Sequence, residues 1–197
     1  MMTTIHELDQ LLHERFEISR DDFVAALKTL PSVRPWATTL TEEEARLLDD
    51  ADFGEDPEAY IAAGTEIAGH AGRLAVTALT SAEVKSALGL SDSRIRQKRL
   101  ARELWAIPDG QTWLFPIAQF DSDPKTGLPY RQVRGLAEVF KALPEDQHPV
   151  AVDGFLHTPQ PELERAGHQL APLDWLREGG DVRDVIAAAQ ASDWYGR

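Results

Sequence analysis

One short segment, residues 80–116, constrains the fold most, because helix-start, turn and hairpin signals follow one another closely in it. Thr80 and Glu83 have the spacing of a capping box, in which a hydroxyl and a carboxylate each bond a free backbone N–H. Gly89 permits a tight turn, since a residue without Cβ adopts positive φ at little cost. The pair Ser91–Asp92 offers a cap for the next helix. The segment therefore predicts two short helices joined by a turn.

The second of these helices is predicted to be strongly basic. Ile95 and Leu100 are its predicted core residues. Gln97 and one arginine are expected to contact base edges through bidentate hydrogen bonds, and Lys98 and Arg99 to hold the phosphate backbone. The candidates for nucleic-acid contact on this helix are Arg94, Arg96, Gln97, Lys98, Arg99 and Arg102.

A β-hairpin is predicted directly after the basic helix. Two apolar runs, Leu104–Ile107 and Thr112–Phe115, flank Asp109–Gly110, and an Asp-Gly pair in this setting is a strong hairpin signal. Gln111 at its tip is a further candidate for phosphate contact. Helix, turn, basic helix and hairpin is the order of a winged helix-turn-helix that binds DNA. Its predicted core is aromatic: Trp105, Trp113 and Phe115.

The charge distribution supports the same interpretation. Residues 80–116 hold six basic and four acidic side chains, whereas residues 1–79 hold six and sixteen, and residues 117–197 hold eight and thirteen. A net charge of −13 repels polyphosphate at long range. Nucleic-acid contact is therefore expected only in the middle segment. The alternative is that its cations form a solvated face paired with Glu103 and Asp92.

The remainder of the chain predicts a mainly α protein with a helical N-terminal region, residues 1–79, that is a candidate for dimerisation. The winged helix-turn-helix would occupy residues 80–120, and a small helical domain residues 135–197. Residues 121–134 are interpreted as a connector. Ser19 and Asp181 are predicted helix caps, Thr41–Glu44 is a further capping box, and Asp56–Pro57 is a predicted helix start. Gly64, Gly69 and Gly72 are expected to let another helix approach closely.

Composition excludes several classes of protein. The chain has no cysteine, so disulfides and thiolate metal sites are absent. It lacks a long apolar run or a signal-like start, so a cytoplasmic protein without membrane contact is expected. The six histidines lack metal-ligand spacing, and no phosphate-loop or nucleophile motif occurs. We therefore expect no enzyme activity, cofactor or metal.

The last third, Phe155–Tyr195, carries a recognisable order of motifs. An aromatic-leucine pair is followed by a TPxPxL turn at Thr158–Leu163, a Pro-Leu-x-x-Leu run at Pro172–Leu176, a turn at Gly179–Gly180 and a final helix. In this order the segment resembles the C-terminal toxin-binding domain of the Xre/MbcA/ParS-type antitoxin family. The resemblance covers roughly forty residues of ordinary composition.

The resemblance implies a type II antitoxin that represses its own operon and neutralises a RES-type toxin that degrades NAD. Family members pack this domain over the toxin and block its cofactor entrance with their C-terminus. Large aromatic and arginine side chains suit such an interface. The residues that the resemblance places there are Trp175, Leu176, Arg177, Trp194, Tyr195 and Arg197.

Two alternatives stay open from the sequence. The family's usual DNA-binding module is a larger helical one without a wing, and residues 1–79 have no counterpart in it. The chain could therefore act as a stand-alone homodimeric transcription regulator whose last third serves dimerisation. It could also be a protein-only interaction module, in which the basic helix binds an acidic partner.

Overall fold

The structure is a computed structural model that describes residues 2–28, 41–43, 46–47 and 57–195. The predicted Thr41–Glu44 capping box therefore lies partly outside the described residues, as does Asp56. The described chain is mainly helical, with a few small antiparallel sheets. It divides into two compact units, the first ending at Val76 and the second beginning at Thr77.

The described helices of the N-terminal unit include α1 (Met2–Phe16), α2 (Arg20–Leu27) and α3 (Pro57–Thr77), whose last residue begins the second unit. The predicted cap at Ser19 is confirmed, because its hydroxyl accepts from the backbone N–H of Asp22 and the Asp22 carboxylate accepts in return. Helix α3 begins at its proline, as the sequence predicts, since proline at the first helical position gives up no hydrogen bond.

Two glycines of α3 allow close packing within this unit. A Cβ built on Gly69 would lie 2.4 Å from the ring of Phe16, and one on Gly72 would lie 2.8 Å from Ile18. Both distances are shorter than real contacts, so the predicted role of these glycines is confirmed. Gly64 has open space around it and does not share that role.

The second unit begins with two helices enclosed by strands. In chain order these are β1 (Leu79–Thr80), α4 (Ser81–Leu88), α5 (Asp92–Leu100), β2 (Ile107–Asp109) and β3 (Thr112–Phe115). The strands form an antiparallel sheet in the order β1-β3-β2, with Leu79 opposite Phe115 and Ile107 opposite Leu114. The hairpin thus reaches back to the strand that precedes α4.

A single apolar core lies under these elements. It comprises five buried residues, Val84, Ile95, Leu104, Phe115 and Phe120. Beside it, the buried amide of Gln119 accepts from the backbone N–H of Trp105 and donates to the carbonyls of Trp105 and Pro116. Because every polar atom of this amide has a partner, its burial carries no unpaired group. This link was not predicted from the sequence.

The expectation of a connector at residues 121–134 is wrong. This segment forms most of a second hairpin, with β4 (Phe120–Ser122) paired to β5 (Pro129–Gln132). Asp123 organises its tip, because the carboxylate accepts from the backbone N–H groups of Lys125 and Thr126. Aspartate commonly closes a turn in this way, because its side chain accepts hydrogen bonds from backbone N–H groups just after it.

The C-terminal part of this unit is helical, with α6 (Leu136–Ala142), α7 (Pro149–His157), α8 (Pro172–Arg177) and α9 (Val182–Tyr195). A short hairpin, β6 (Glu164–Arg165) and β7 (His168–Gln169), separates α7 from α8 and was not predicted. The predicted cap of the last helix is confirmed, because Asp181 accepts from the backbone N–H of Arg183.

Candidate nucleic-acid interface

Local capping sets the direction of the basic helix α5. Thr80 and Glu83 form the predicted capping box of α4, with the Thr80 N–H 2.7 Å from the Glu83 carboxylate. These hydrogen bonds also hold the pKa of the Glu83 carboxyl below its usual value. Gly89 ends α4 at φ +63°, and the hydroxyl of Ser91 then caps α5 by accepting from the N–H of Arg94. The predicted helix, turn and helix are therefore present.

One side of α5 is free for contact. Arg94, Arg96 and Gln97 are exposed, while Ile95 on the opposite side is buried in the core. Within the part of the chain that the structure describes, neither arginine forms an ion pair, and the Arg94 guanidinium only approaches the Gln97 side chain at 3.5 Å. These three predicted contact residues therefore lie together on a surface with uncommitted hydrogen-bond donors.

The other two predicted contact residues of α5 are engaged with their own chain. The ammonium of Lys98 is 3.0 Å from the carboxylate of Glu103, and both side chains are half-buried. The guanidinium of Arg99 stacks on the ring of Trp113 at 3.8 Å from its centroid. A cation on an indole face is held by the ring quadrupole, so Arg99 is a packing element of the hairpin.

Arg102 does not lie on the basic helix, and this expectation is wrong. Helix α5 ends at Leu100, and Arg102 follows it with φ +55°, in the left-handed region. Its guanidinium donates to the backbone carbonyl of Leu143 and is half-buried. Arg102 therefore lies past the end of the helix, and its side chain bonds within the second unit.

Leu100 also differs from its prediction. It was expected in the core, but 64% of it is exposed. It shares the exposed stripe of α5 with Ser93, Arg96 and Gln97, at the spacing i, i+3, i+4 and i+7 that places residues on one helix face. The helical spacing from Gln97 could have identified Ser93 as a neighbour of the predicted contact residues, although Ser93 was not predicted.

The acidic side chains around α5 are partly neutralised. Asp92 accepts from Lys85 at 2.6 Å, and this hydrogen bond lowers the pKa of the Asp92 carboxyl. Glu103 lies between Lys98 and Lys141, at 3.0 and 3.1 Å, and hydrogen bonds from these two ammonium groups lower its pKa. The alternative prediction paired the cations of this segment with Asp92 and Glu103, and in the structure lysines, not Arg94 or Arg96, occupy those carboxylates.

The predicted hairpin is present beside α5. Asp109 pairs with Thr112, so the two-residue loop is Gly110–Gln111, with Gly110 at φ +56°. Positive φ at this position suits a tight hairpin turn. Gln111 is exposed at the tip, as expected for a side chain that could contact phosphate, and Asp109 next to it is also exposed.

Three of the residues expected to bind a toxin, Trp175, Leu176 and Arg177, form contacts within the second unit. Leu176 is 5% exposed and belongs to the core, which conflicts with a role in partner contact. The indole N–H of Trp175 donates to the Asp181 carbonyl at 3.0 Å. The Arg177 Nε is 3.4 Å from a carboxylate oxygen of Asp121.

The predicted C-terminal contact residues lie at the end of α9 and beyond it. The backbones of Trp194 and Tyr195 belong to α9, but their side chains, and Arg197 entirely, lie outside the described residues.

The described residues contain no group of three or more potential metal ligands, and no helix among them is long and apolar enough to cross a bilayer.

Comparisons with known proteins add no further constraint. No protein-family model matches the chain, and neither the curated proteins nor the solved structures give a match. The resemblance to the Xre/MbcA/ParS-type antitoxins therefore still depends on the motif order in Phe155–Tyr195.

Proposed function

We propose that this protein is a sequence-specific DNA-binding regulator and that helix α5 enters the major groove. One observation carries the proposal. Arg94, Arg96 and Gln97 lie exposed on one side of a capped helix, without carboxylate partners among the described residues. Arginine offers bidentate donors to guanine, and glutamine offers a donor and an acceptor to adenine.

The surrounding elements support the same proposal. Strand β1, helices α4 and α5 and the β2–β3 hairpin follow the order of a winged helix-turn-helix, in which the hairpin is the wing. Gln111 at its tip is a candidate for contact with a neighbouring phosphate. A homodimer would present two such helices about one DNA turn apart, so a two-fold symmetric operator is expected.

A binding measurement on promoter DNA tests this proposal. Fluorescence anisotropy with the duplex upstream of the protein's own gene is expected to give an affinity that falls steeply with salt, because phosphate contacts release counterions. In the double variant Arg94→Gln/Arg96→Gln, affinity should fall about 100-fold, and the log–log salt slope should decrease by about 2.

The matched control is Arg183→Gln, which removes an exposed arginine from the unrelated helix α9; its side chain is 85% exposed. This variant should bind DNA like the unchanged protein. Equal affinity of the double variant and the control would overturn the proposal. Binding that does not weaken with salt would instead favour an acidic protein partner for α5.

A second proposal is that the chain is also an antitoxin for a RES-type toxin that degrades NAD. The supporting observation is the order of elements. Helix α7 contains Phe155 and Leu156, a turn and a short hairpin follow, and then come α8 from Pro172 and the final helix α9. Apart from the hairpin, this is the order that the resemblance implies. Of the residues that the resemblance implies, Leu176 is buried in the core, and Trp175, Arg177, Trp194, Tyr195 and Arg197 stay the candidates for toxin contact.

Deletion of residues 188–197 separates the antitoxin from a stand-alone regulator. The full chain and the truncated chain are each co-expressed with a RES-type protein encoded next to it, and cellular NAD and promoter binding are measured. An antitoxin requires that the full chain protects NAD and the truncated chain does not, while both bind DNA. Failure of the full chain to form a complex with the toxin would leave the stand-alone regulator as the function.

A further inference from the structure

A cavity of about 390 Å³ lies beside the C-terminal end of α5. It is formed within the second unit, between the end of α5, the β2–β3 hairpin and helices α6 and α7. Its walls include the rings of Trp105, Trp113 and Phe140, and two guanidinium groups, those of Arg99 and Arg102, line it. The lining combines ten apolar side chains with five polar or charged ones, and ligand pockets commonly have about this volume.

The aromatic walls favour a flat ligand. Trp105 and Phe140 face each other at 6.2 Å between ring centroids, with an interplanar angle of 44°. Trp113 contributes a third ring, whose other contact is the Arg99 guanidinium. Aromatic ligands gain stacking energy against such rings in addition to the burial of apolar area.

The two arginines favour a negative charge on the ligand. Among the described residues neither Arg99 nor Arg102 has a carboxylate within ion-pair distance; Arg99 stacks on an indole, and Arg102 donates to a backbone carbonyl. Arg102 is also held at positive φ, which is uncommon for a residue with a side chain and often occurs at functional sites. The guanidinium fork binds a carboxylate in a bidentate manner.

Two acidic residues, Glu145 and Asp146, also line the cavity. Both are exposed, where water and salt screen their charges, whereas Arg99 and Arg102 are half-buried. The less screened cations therefore dominate the interaction with a bound group.

A further polar atom points to a hydrogen-bond donor on the ligand. Gln147 is one of the lining residues, and its side-chain oxygen is buried without a hydrogen-bond partner among the described residues. A buried acceptor without a donor costs about 1–3 kcal/mol, so such atoms normally find a partner. A hydroxyl or ring N–H on a bound molecule would supply one.

We propose that this cavity binds a planar aromatic carboxylate that also carries a hydrogen-bond donor. The carboxylate lies between Arg99 and Arg102, the ring lies against Trp105, Trp113 and Phe140, and the donor reaches the Gln147 oxygen. The proposed ligand contacts use Arg99 and Arg102, whereas the proposed base contacts use Arg94, Arg96 and Gln97, so the two sites can be tested separately.

Isothermal titration of the full chain with three matched probes tests the proposal. The probe 6-hydroxy-2-naphthoate has the ring, the charge and the donor; 2-naphthoate lacks the donor, and 2-naphthol lacks the charge. The first should bind with one-to-one stoichiometry. The uncharged probe should bind about tenfold more weakly, since hydrogen bonds to charged groups contribute most.

Variants assign the two ends of the ligand. Arg99→Gln and Arg102→Gln should each weaken 6-hydroxy-2-naphthoate about five- to tenfold and leave 2-naphthol unchanged. Gln147→Leu should abolish the preference for the hydroxyl-bearing probe over 2-naphthoate. Arg183→Gln, on a remote helix, should change nothing. Circular dichroism and thermal midpoints identify any variant that fails to fold, and Arg99→Lys then serves as the replacement that keeps the charge.

Several outcomes would overturn the proposal. Equal binding of the charged and uncharged probes, absence of saturable binding by all three, or unchanged affinity in a folded Arg99→Gln protein would each contradict it. No DNA is present in these titrations, so a negative result here leaves the proposed DNA binding intact. A failure of DNA binding, in turn, leaves this site untouched.

Discussion

The arginines of α5 and those of the C-terminal helices differ in what surrounds them. Arg94 and Arg96 are exposed without a carboxylate partner among the described residues. In the C-terminal part, Arg165 pairs with Glu178, Arg177 with Asp121 and Arg183 with Asp181, at 3.1, 3.4 and 2.5 Å. An arginine count alone would not separate these two regions, whereas the placement of the carboxylates does.

The difference shows how a strongly acidic chain can present a cationic surface. Carboxylates beside α5 are occupied by lysines, as in the pairs Lys85–Asp92 and Lys141–Glu103, so they do not neutralise the exposed arginines. Exposed ion pairs contribute only about 0–1 kcal/mol to stability, so these pairs add little to the free energy of folding. The following predictions test that distinction.

The largest effect is expected from the core beneath α5. Phe115→Ala removes a ring that is 1% exposed, so a loss of about 3–5 kcal/mol in the free energy of unfolding is expected from burial and cavity formation. Chemical denaturation followed by circular dichroism measures it. DNA binding should be lost together with the fold, unlike in the arginine variants, which should bind poorly while folded.

Leu173→Ala provides the matched core change in the C-terminal part, where Leu173 is also 1% exposed. We expect a loss of about 2–5 kcal/mol. If residues 77–197 unfold as one cooperative unit, both variants should shift a single transition. Two separate unfolding transitions, with Phe115→Ala shifting only one of them, would show that the two regions fold independently. The two regions would then be separate domains.

An intermediate effect is expected when two arginines on the same helix are compared. Arg99→Ala removes the cation stacked on Trp113 and should destabilise the protein by about 1 kcal/mol. Arg96→Ala removes an exposed side chain and should change stability by less than about 0.5 kcal/mol. DNA affinity should show the reverse order, with the larger loss for Arg96→Ala.

Denaturation midpoints give the stability of both variants, and promoter binding gives their DNA affinity. If Arg99→Ala and Arg96→Ala lost folding stability and DNA affinity in the same proportion, the two faces of α5 would not differ in role. That result would contradict the division of the helix into a packed face and a free face. An affinity loss confined to Arg99→Ala would place the nucleic-acid contact on the hairpin side instead.

Much of the module could be predicted because its signals are local. The capping box at Thr80, the turn at Gly89 and the hairpin at Gly110 each depend on a few neighbouring residues and elementary backbone chemistry. Their order then predicted the position of the exposed residues Arg96 and Gln97. Local rules of this kind apply whether or not the rest of the chain is known.

The errors arose where a distant part of the chain decides the outcome. Arg102 leaves the helix and bonds Leu143, forty-one residues away, which no local pattern indicates. The β4–β5 hairpin was obscured by the Pro, Gly and Asp of its long turn. Leu100 was assigned to the core from its apolar character, but its helical position beside Gln97 places it outside. Leu176 shows the opposite error, because it was predicted to contact a partner and is buried in the core.

The smallest effect is expected from pH and concerns the C-terminal arginines again. The pKa of the Asp181 carboxyl is lowered from 3.8 to about 2, mainly by the side-chain hydrogen bond from Arg183 and then by the backbone N–H of that residue. Because the folded pKa lies below the unfolded one, this group stabilises the protein above about pH 4, and the contribution is lost as the pH falls toward about 2.

Asp181→Asn should remove this dependence, because the amide keeps an acceptor for the cap but cannot titrate. Thermal midpoints at about pH 6 and about pH 3 should therefore differ less in the variant than in the unchanged protein. Arg94→Gln/Arg96→Gln should leave the difference as it is, since neither side chain pairs with a carboxylate within the described ranges. If that double variant altered the acid response as much as Asp181→Asn, its arginines would have carboxylate partners after all, and the contrast between the two regions would disappear.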